Sequence, residues 1–202
     1  MSEAIEFSDL VFPLAGASLR VDYPLPLWQA LRKALPWLAE EADAAILPIK
    51  GGSPSQDRLI LSQRSQLILR LPQHRIDQAR QLAGLSLDLG AELRLGEPHA
   101  RALRPTSAQY SPIVVVGRDI ETEFLAECAD ALATLAVSGR LVCGKAQARL
   151  GETGEVNGFS LMVHGLSAEH ALRLQQRGLG SARKIGCGTF VSHRTAVAVG
   201  AV

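Results

Sequence analysis

The sequence predicts an α+β protein built as two like halves, and three observations carry that prediction. Short apolar strands alternate with two helical patterns in each half; the order of elements in residues 1–104 recurs in 105–202; and 47% of the 202 residues are hydrophobic, enough to bury a core in each half. Each half reads strand, helix, strand, strand, helix, strand. This is the ferredoxin-like order, shared by RNA-recognition domains, so the expectation is a tandem ferredoxin-like chain.

In the first half, Ile5 to Phe12 is an extended apolar segment, followed by a turn-rich stretch. Trp28, Leu31, Leu35 and Leu38 then recur at helical spacing, and Pro36 is expected to bend or shorten that helix. Ala44 to Ile49 reads as a strand, Gly51 to Ser55 as a loop, and Leu59 to Leu61 with Leu67 to Leu71 as a hairpin. A helix from about Gln73 to Leu82 and alternating leucines from Leu85 to Leu95 close the half. The linker is placed at Arg101 to Ser111.

The second half opens with the β-branched strand Ile113 to Val116 and the helix Ile120 to Val137, whose Phe124, Cys128, Leu132 and Leu135 share a face. Leu141 to Gly144 and Phe159 to His164 supply two strands. Ser167 is a fitting N-cap for a helix that stops at Gly178, and Thr189 to Val199 is a final β-branched run.

The formal net charge is only +1, so an anionic polymer would have to be held by a local cluster. Such a cluster exists. After Ala171 the chain carries Arg173, Arg177, Arg183, Lys184 and Arg194 and no acid, whereas Asp119 to Asp130 holds five acids. Cys128, Cys143 and Cys187 form no C-x-x-C pair and have no histidine at metal-ligand spacing, so they read as reduced thiols, and no metal or other cofactor is expected. The N-terminus lacks the pattern of a signal peptide and no apolar run is long enough to span a bilayer, which places the chain in the cytoplasm with no membrane partner.

The most informative segment is Gly178-Leu179-Gly180-Ser181-Ala182-Arg183-Lys184-Ile185-Gly186-Cys187-Gly188. Two G-x-G steps flank two cations, so backbone N–H groups can approach a phosphate chain without a Cβ in the way. Gly178, Gly180, Ser181, Gly186 and Gly188 supply the close approach, and Arg183 and Lys184 the charge. It is no Walker loop, because Cys187 follows Gly186 where a lysine is required, and no dinucleotide fingerprint, because Arg183 stands where the third glycine belongs.

A loop of this composition between the last helix and last strand of a second ferredoxin-like half resembles the CRISPR-associated endoribonucleases of the repeat-associated mysterious protein superfamily. Gly158 to Ser167, Phe12-Pro13, Leu35-Pro36-Trp37-Leu38 and Leu67 to Pro72 are similar to a short subfamily found with type I effector complexes. The resemblance implies cleavage of CRISPR precursor RNA within its repeats. It also implies retention of the repeat hairpin and association with other effector subunits. The chemistry it implies is metal-independent: the ribose 2′-OH attacks the adjacent phosphorus, the 5′-oxygen leaves, and a 2′,3′-cyclic phosphate forms.

Many members of the family this chain resembles carry the base, a histidine, just ahead of or inside the first helix of the N-terminal half, and here Val21 to Trp28 contains none. Tyr23 stands in its place, and a phenol with an ordinary pKa of about 10 is a better proton donor than base. His164 and His193 are the further candidates for proton transfer. His164 alternates with Phe159, Leu161 and Val163 and so faces the opposite side of its strand; His193 lies beside Arg194 near the glycine loop. Arg173 and Arg177, four apart on one helix, are candidates to track RNA phosphates, as is Lys145 after Gly144. The missing histidine leaves a second reading open, a non-catalytic subunit that caps the guide-RNA hairpin.

Overall fold

The computed structural model describes residues 6–52 and 57–193. The chain divides into two compact units. The first takes the residues up to Leu103 together with Ala148–Val156 and Ala182–Gly186; the second takes Arg104–Gln147, Asn157–Ser181 and the residues from Cys187 onward.

In the first unit, β1 (Phe7–Ala15) and β2 (Ser18–Arg20) precede α1 (Pro24–Ala34) and the single turn α2 (Trp37–Glu40). Pro24 starts α1, where its missing N–H costs nothing, and Pro36 divides α1 from α2 as expected. β3 (Ala45–Leu47), β4 (Arg58–Ile60) and β5 (Gln66–Pro72) follow. Residues 73–82 form a short α3 (Ile76–Ala79) between two 3₁₀ turns. β6 (Ser86–Asp88), β7 (Glu92–Leu95) and β8 (His99–Ala102) complete the unit.

The strand order β3-β5-β1, with β8 on the other side of β1, is the ferredoxin-like order. β6 and β7 extend it through Leu14 and Ala15 of β1. β4 departs from expectation: it pairs with β2, not with β5. Ser62 to Ser65 form a turn in which the Ser65 hydroxyl accepts the Ser62 N–H, and β5 passes to the main sheet beside β1.

Alternation sorts the two faces of that sheet. Leu10, Phe12, Leu67, Leu69 and Leu71 share one buried face, and Trp28, Leu31, Leu35 and Leu38 bury the apolar stripe of α1 and α2. On the other face Asp9 lies in register with Arg70 of β5 and Arg101 of β8. Asp9 accepts from Arg70 at 2.8 and 3.2 Å and from Arg101 at 3.2 Å, so a charge triplet crosses the middle of the sheet.

The second unit repeats the order. β9 (Ala108–Val114), α4 (Glu121–Thr134), β10 (Arg140–Gly151), β11 (Gly154–His164), α5 (Ala168–Arg177) and β12 (Val191–Ser192) give a sheet β10-β11-β9-β12. Phe124, Cys128 and Leu132 of α4, Ala171 and Leu174 of α5, and Val114, Leu161, Val163 and Phe190 form its core. Ser167 caps α5 by accepting the His170 N–H at 3.2 Å. β10 and β11 run much further than Leu141–Gly144 and Phe159–His164. The connection before β9 is shorter than expected, since β8 ends at Ala102 and β9 begins at Ala108. Among the described residues no helix is long and apolar enough to cross a membrane.

Candidate nucleic-acid interface

The Gly178–Gly188 segment leaves α5 at Gly178 and crosses β9 at very short range. A Cβ on Gly180 would lie 2.2 Å from the Val115 carbonyl oxygen, and one on Gly188 1.9 Å from that of Leu179, so no larger residue fits either position without backbone movement. Both also have left-handed φ, +71° and +62°. The N–H of Gly178 donates to Leu174 O at 2.8 Å, that of Ser181 to Val115 O at 2.9 Å, that of Gly186 to Arg183 O at 3.2 Å and that of Gly188 to Ile113 O at 2.8 Å. The glycines thus serve a close backbone crossing, and these four N–H groups are satisfied within the chain.

Between the two G-x-G steps, Arg183–Ile185 makes one 3₁₀ turn, entered through a left-handed Ala182 and left through a left-handed Gly186. Lys184 folds back: its Nζ donates to the carbonyls of Glu41 at 2.5 Å and Ala44 at 2.8 Å. Burial, with the neighbouring Arg183 charge, lowers its pKa to about 8, against the pull of Glu41 and Asp43. Arg149 Nη1 donates to Ile185 O at 2.6 Å. Lys184, Ile185 and Gly186 then line a small cavity with Tyr23, Leu27, Ile46 and Pro48.

Tyr23 immediately precedes α1 and is buried. Its hydroxyl accepts the Ile49 N–H at 2.7 Å. Burial raises the phenol pKa above its ordinary value, opposed by that hydrogen bond and by the Arg149 charge. The group is therefore protonated at neutral pH, with an O–H left to donate.

His164 and His193 belong to the second unit and share one row of its sheet. His164 pairs with Ala108 on one side of β9, and the His193 N–H donates to Ala108 O at 3.0 Å on the other. Residues opposite one another in antiparallel strands point to the same face, so both histidines stand on the face away from Leu161 and Val163. Tyr110 joins them, its ring centroid 5.5 Å from that of His193. Tyr110 is not among the sequence candidates; it is half-buried in a strand whose Ala108, Gln109 and Ser111 are all buried.

The remaining candidates separate by what they touch. Arg173 donates to the carbonyls of Leu135 at 3.2 Å and Ala136 at 2.9 Å and pairs with Glu169 at 2.6 Å, so its head is occupied at the C-terminus of α4. Arg177, one turn on, is exposed, and Lys145 is exposed on β10. Arg183 is half-buried. Arg194 lies outside the described residues. Burial pushes the Cys128 thiol up to about 12, which makes it unreactive at neutral pH. Among the described residues no group of three or more His, Cys, Asp or Glu is arranged to hold a metal ion.

Comparison with known proteins gives the architecture a family. The family described as Cas6 Crispr matches residues 8–195. A protein of Myxococcus xanthus (strain DK1622), "CRISPR-associated endonuclease Cas6", is 34% identical over 187 residues, covering 92% of this chain and 81% of its own. Among solved structures, "CRISPR associated protein Cas6" superimposes with a TM-score of 0.67 at 7% identity, covering 94% of this chain and 100% of its own. "An RAMP protein binding different RNA substrates" superimposes with a TM-score of 0.66 at 13% identity, covering 91% of this chain and 98% of its own. At those identities the structures speak for the shared fold. With a family match over nearly the whole chain and a relative at 34% identity, this chain belongs to the Cas6 family of CRISPR proteins.

Proposed function

We propose that this chain is an endoribonuclease that cleaves CRISPR precursor RNA within its repeats and stays bound to the repeat hairpin as a subunit of a type I effector complex. Family membership supports the substrate class. The observation that carries the chemistry is the cavity where Tyr23 meets the basic turn of the glycine loop, because it puts a protonated phenol beside Lys184 and under the influence of the Arg149 charge. Tyr23 donates its proton to the departing 5′-oxygen, and the charge of Arg183 stabilises the phosphorane. Arg177, Lys145 and Arg194 hold phosphates further along the RNA, with Arg173 and the loop residues Gly178, Gly180, Ser181, Gly186 and Gly188 shaping that surface. Among the described residues no histidine lines this cavity, so His164 and His193, both in the Ala108 row of the second unit's sheet, are each tested by itself as a proton acceptor and not as a partner of Tyr23.

The test is incubation with repeat RNA in chelator, alongside the same RNA carrying a 2′-deoxy residue at the cut site. The expected result is cleavage of the first only, ending in a 2′,3′-cyclic phosphate. Cleavage of the deoxy substrate, or a requirement for magnesium, rejects the mechanism.

One observation favours a second reading. The residue in the place of the usual histidine is a buried tyrosine whose hydroxyl already accepts a backbone N–H. A non-catalytic hairpin-binding subunit would hold repeat RNA tightly through a prolonged single-turnover incubation and yield no product.

A further inference from the structure

We infer that Lys184 is a positioning residue, a latch that fixes the basic turn of the glycine loop to the corner between α2 and β3, and is not itself a contact to the RNA backbone. The inference rests on the RNA-cleaving reading for its consequence, but its geometry stands apart from it.

Residues Ala182–Gly186 cannot hold their own shape. Their 3₁₀ turn contains two backbone hydrogen bonds, Ile185 N–H to Ala182 O at 3.1 Å and Gly186 N–H to Arg183 O at 3.2 Å. A single such turn is not stable alone, and this one also carries a left-handed Ala182. External restraints supply what is missing. Arg149 fixes the Ile185 carbonyl, and Lys184 reaches two carbonyls that belong to a firm corner. There the Glu41 N–H donates to Trp37 O, the Ala44 N–H donates to Glu41 O, and the Glu41 carboxylate is held by Arg75 at 2.9 Å. Ala44 is fully buried and leads directly into β3.

An ammonium has three donors, and two of those of Lys184 are committed here. One donor is left over, and swinging out to track the RNA backbone would break both bonds, one of them to a buried residue. Its lowered pKa agrees with a charge taken partly out of water. The latch also sets the position of Ile185 and Gly186 on the cavity they share with Tyr23.

Two measurements on the full chain test this. The first compares Lys184→Met with Arg183→Ala. Loss of the latch raises amide hydrogen exchange at Ile185 and Gly186 by about tenfold or more in RNA-free protein, a larger rise than Arg183→Ala produces. It weakens repeat-RNA binding while leaving the slope of log K against log salt unchanged. A slope smaller by about 0.7–0.9, the signature of one lost phosphate contact, overturns the inference, as does unchanged exchange. The second uses the unaltered protein, so it survives any failure of the variant to fold. In amine acetylation read by mass spectrometry, Lys184 is protected equally with and without repeat RNA, against exposed Lys33 of α1 as internal reference. Lys184 reactive in the free chain and protected only by RNA overturns the latch. If the unaltered protein binds no repeat RNA, the functional reading fails, while exchange and RNA-free protection still decide the latch.

Discussion

The hydroxyl of Tyr23 accepts the backbone N–H of Ile49 at 2.7 Å, which ties the start of α1 to the segment after β3. One lone pair is thereby spent on structure while the O–H remains to donate. Tyr23→Phe separates the two roles. The buried N–H of Ile49 loses its partner, at a cost of about 1–3 kcal/mol, seen as a lower Tm. If the phenol is the proton donor, single-turnover cleavage well below Tm slows by about 100-fold or more. Unaltered cleavage in a folded variant removes Tyr23 from the mechanism.

Arg173 and Arg177 are predicted to behave differently although they lie one turn apart. Arg173→Ala releases the carbonyls of Leu135 and Ala136 and destabilises the protein by about 1–2 kcal/mol, with the salt dependence of RNA binding unchanged. Arg177→Ala reduces the salt slope by about 0.7–0.9. Denaturant melts and binding titrations at several salt concentrations check both.

Glycine substitutions in the loop should follow the geometry of the crossing. Gly188→Ala and Gly180→Ala drive a Cβ into a carbonyl oxygen at 1.9 and 2.2 Å and are expected to lower stability by about 3 kcal/mol or more. Gly165→Ala, at φ +74° but facing open space, pays only the left-handed strain, about 1–2 kcal/mol. Equal losses at the three sites would contradict the close crossing.

Ala136 follows the C-cap of α4 at φ +50° and is exposed. A left-handed alanine costs about 1–2 kcal/mol where glycine is at ease, so Ala136→Gly is expected to raise stability by about 1 kcal/mol. Thermal unfolding checks this.

Lys184 gives a pH dependence with a definite sign. Its folded pKa of about 8 lies below the ordinary 10.5, so between those values the unfolded chain binds more protons and the Lys184 contribution to stability rises with pH. The difference in stability between the unaltered protein and Lys184→Met should therefore grow in favour of lysine from pH 8 to pH 10. A flat difference contradicts the burial of this charge.

The element order was legible because apolar alternation marks any strand with one buried face, as in Leu67 to Leu71 or Phe159 to Val163. The far ends of β10 and β11 were not, because Lys145 to Gln147 and Gly154 to Asn157 face solvent and carry no inside-outside pattern. β4 was assigned to its nearest neighbour in sequence, and nothing in three residues of β2 advertises a partner 40 positions away. At the site, the glycine loop was visible as composition, but the tasks of Arg173 and Lys184 were not. Both donate to backbone carbonyls, which have no side-chain signature, and for Lys184 the partner Glu41 is 143 residues distant.

The first unit borrows Ala148–Val156 and Ala182–Gly186 from far along the chain. During synthesis it therefore stays incomplete until residue 186 has left the ribosome, although its own strands emerge first. Vectorial, unit-by-unit maturation, common in two-part chains, is closed to this protein. A nascent chain arrested after residue 104 should expose the α1 side of the cavity to protease, and a chain arrested beyond residue 186 and its exit-tunnel length should protect it.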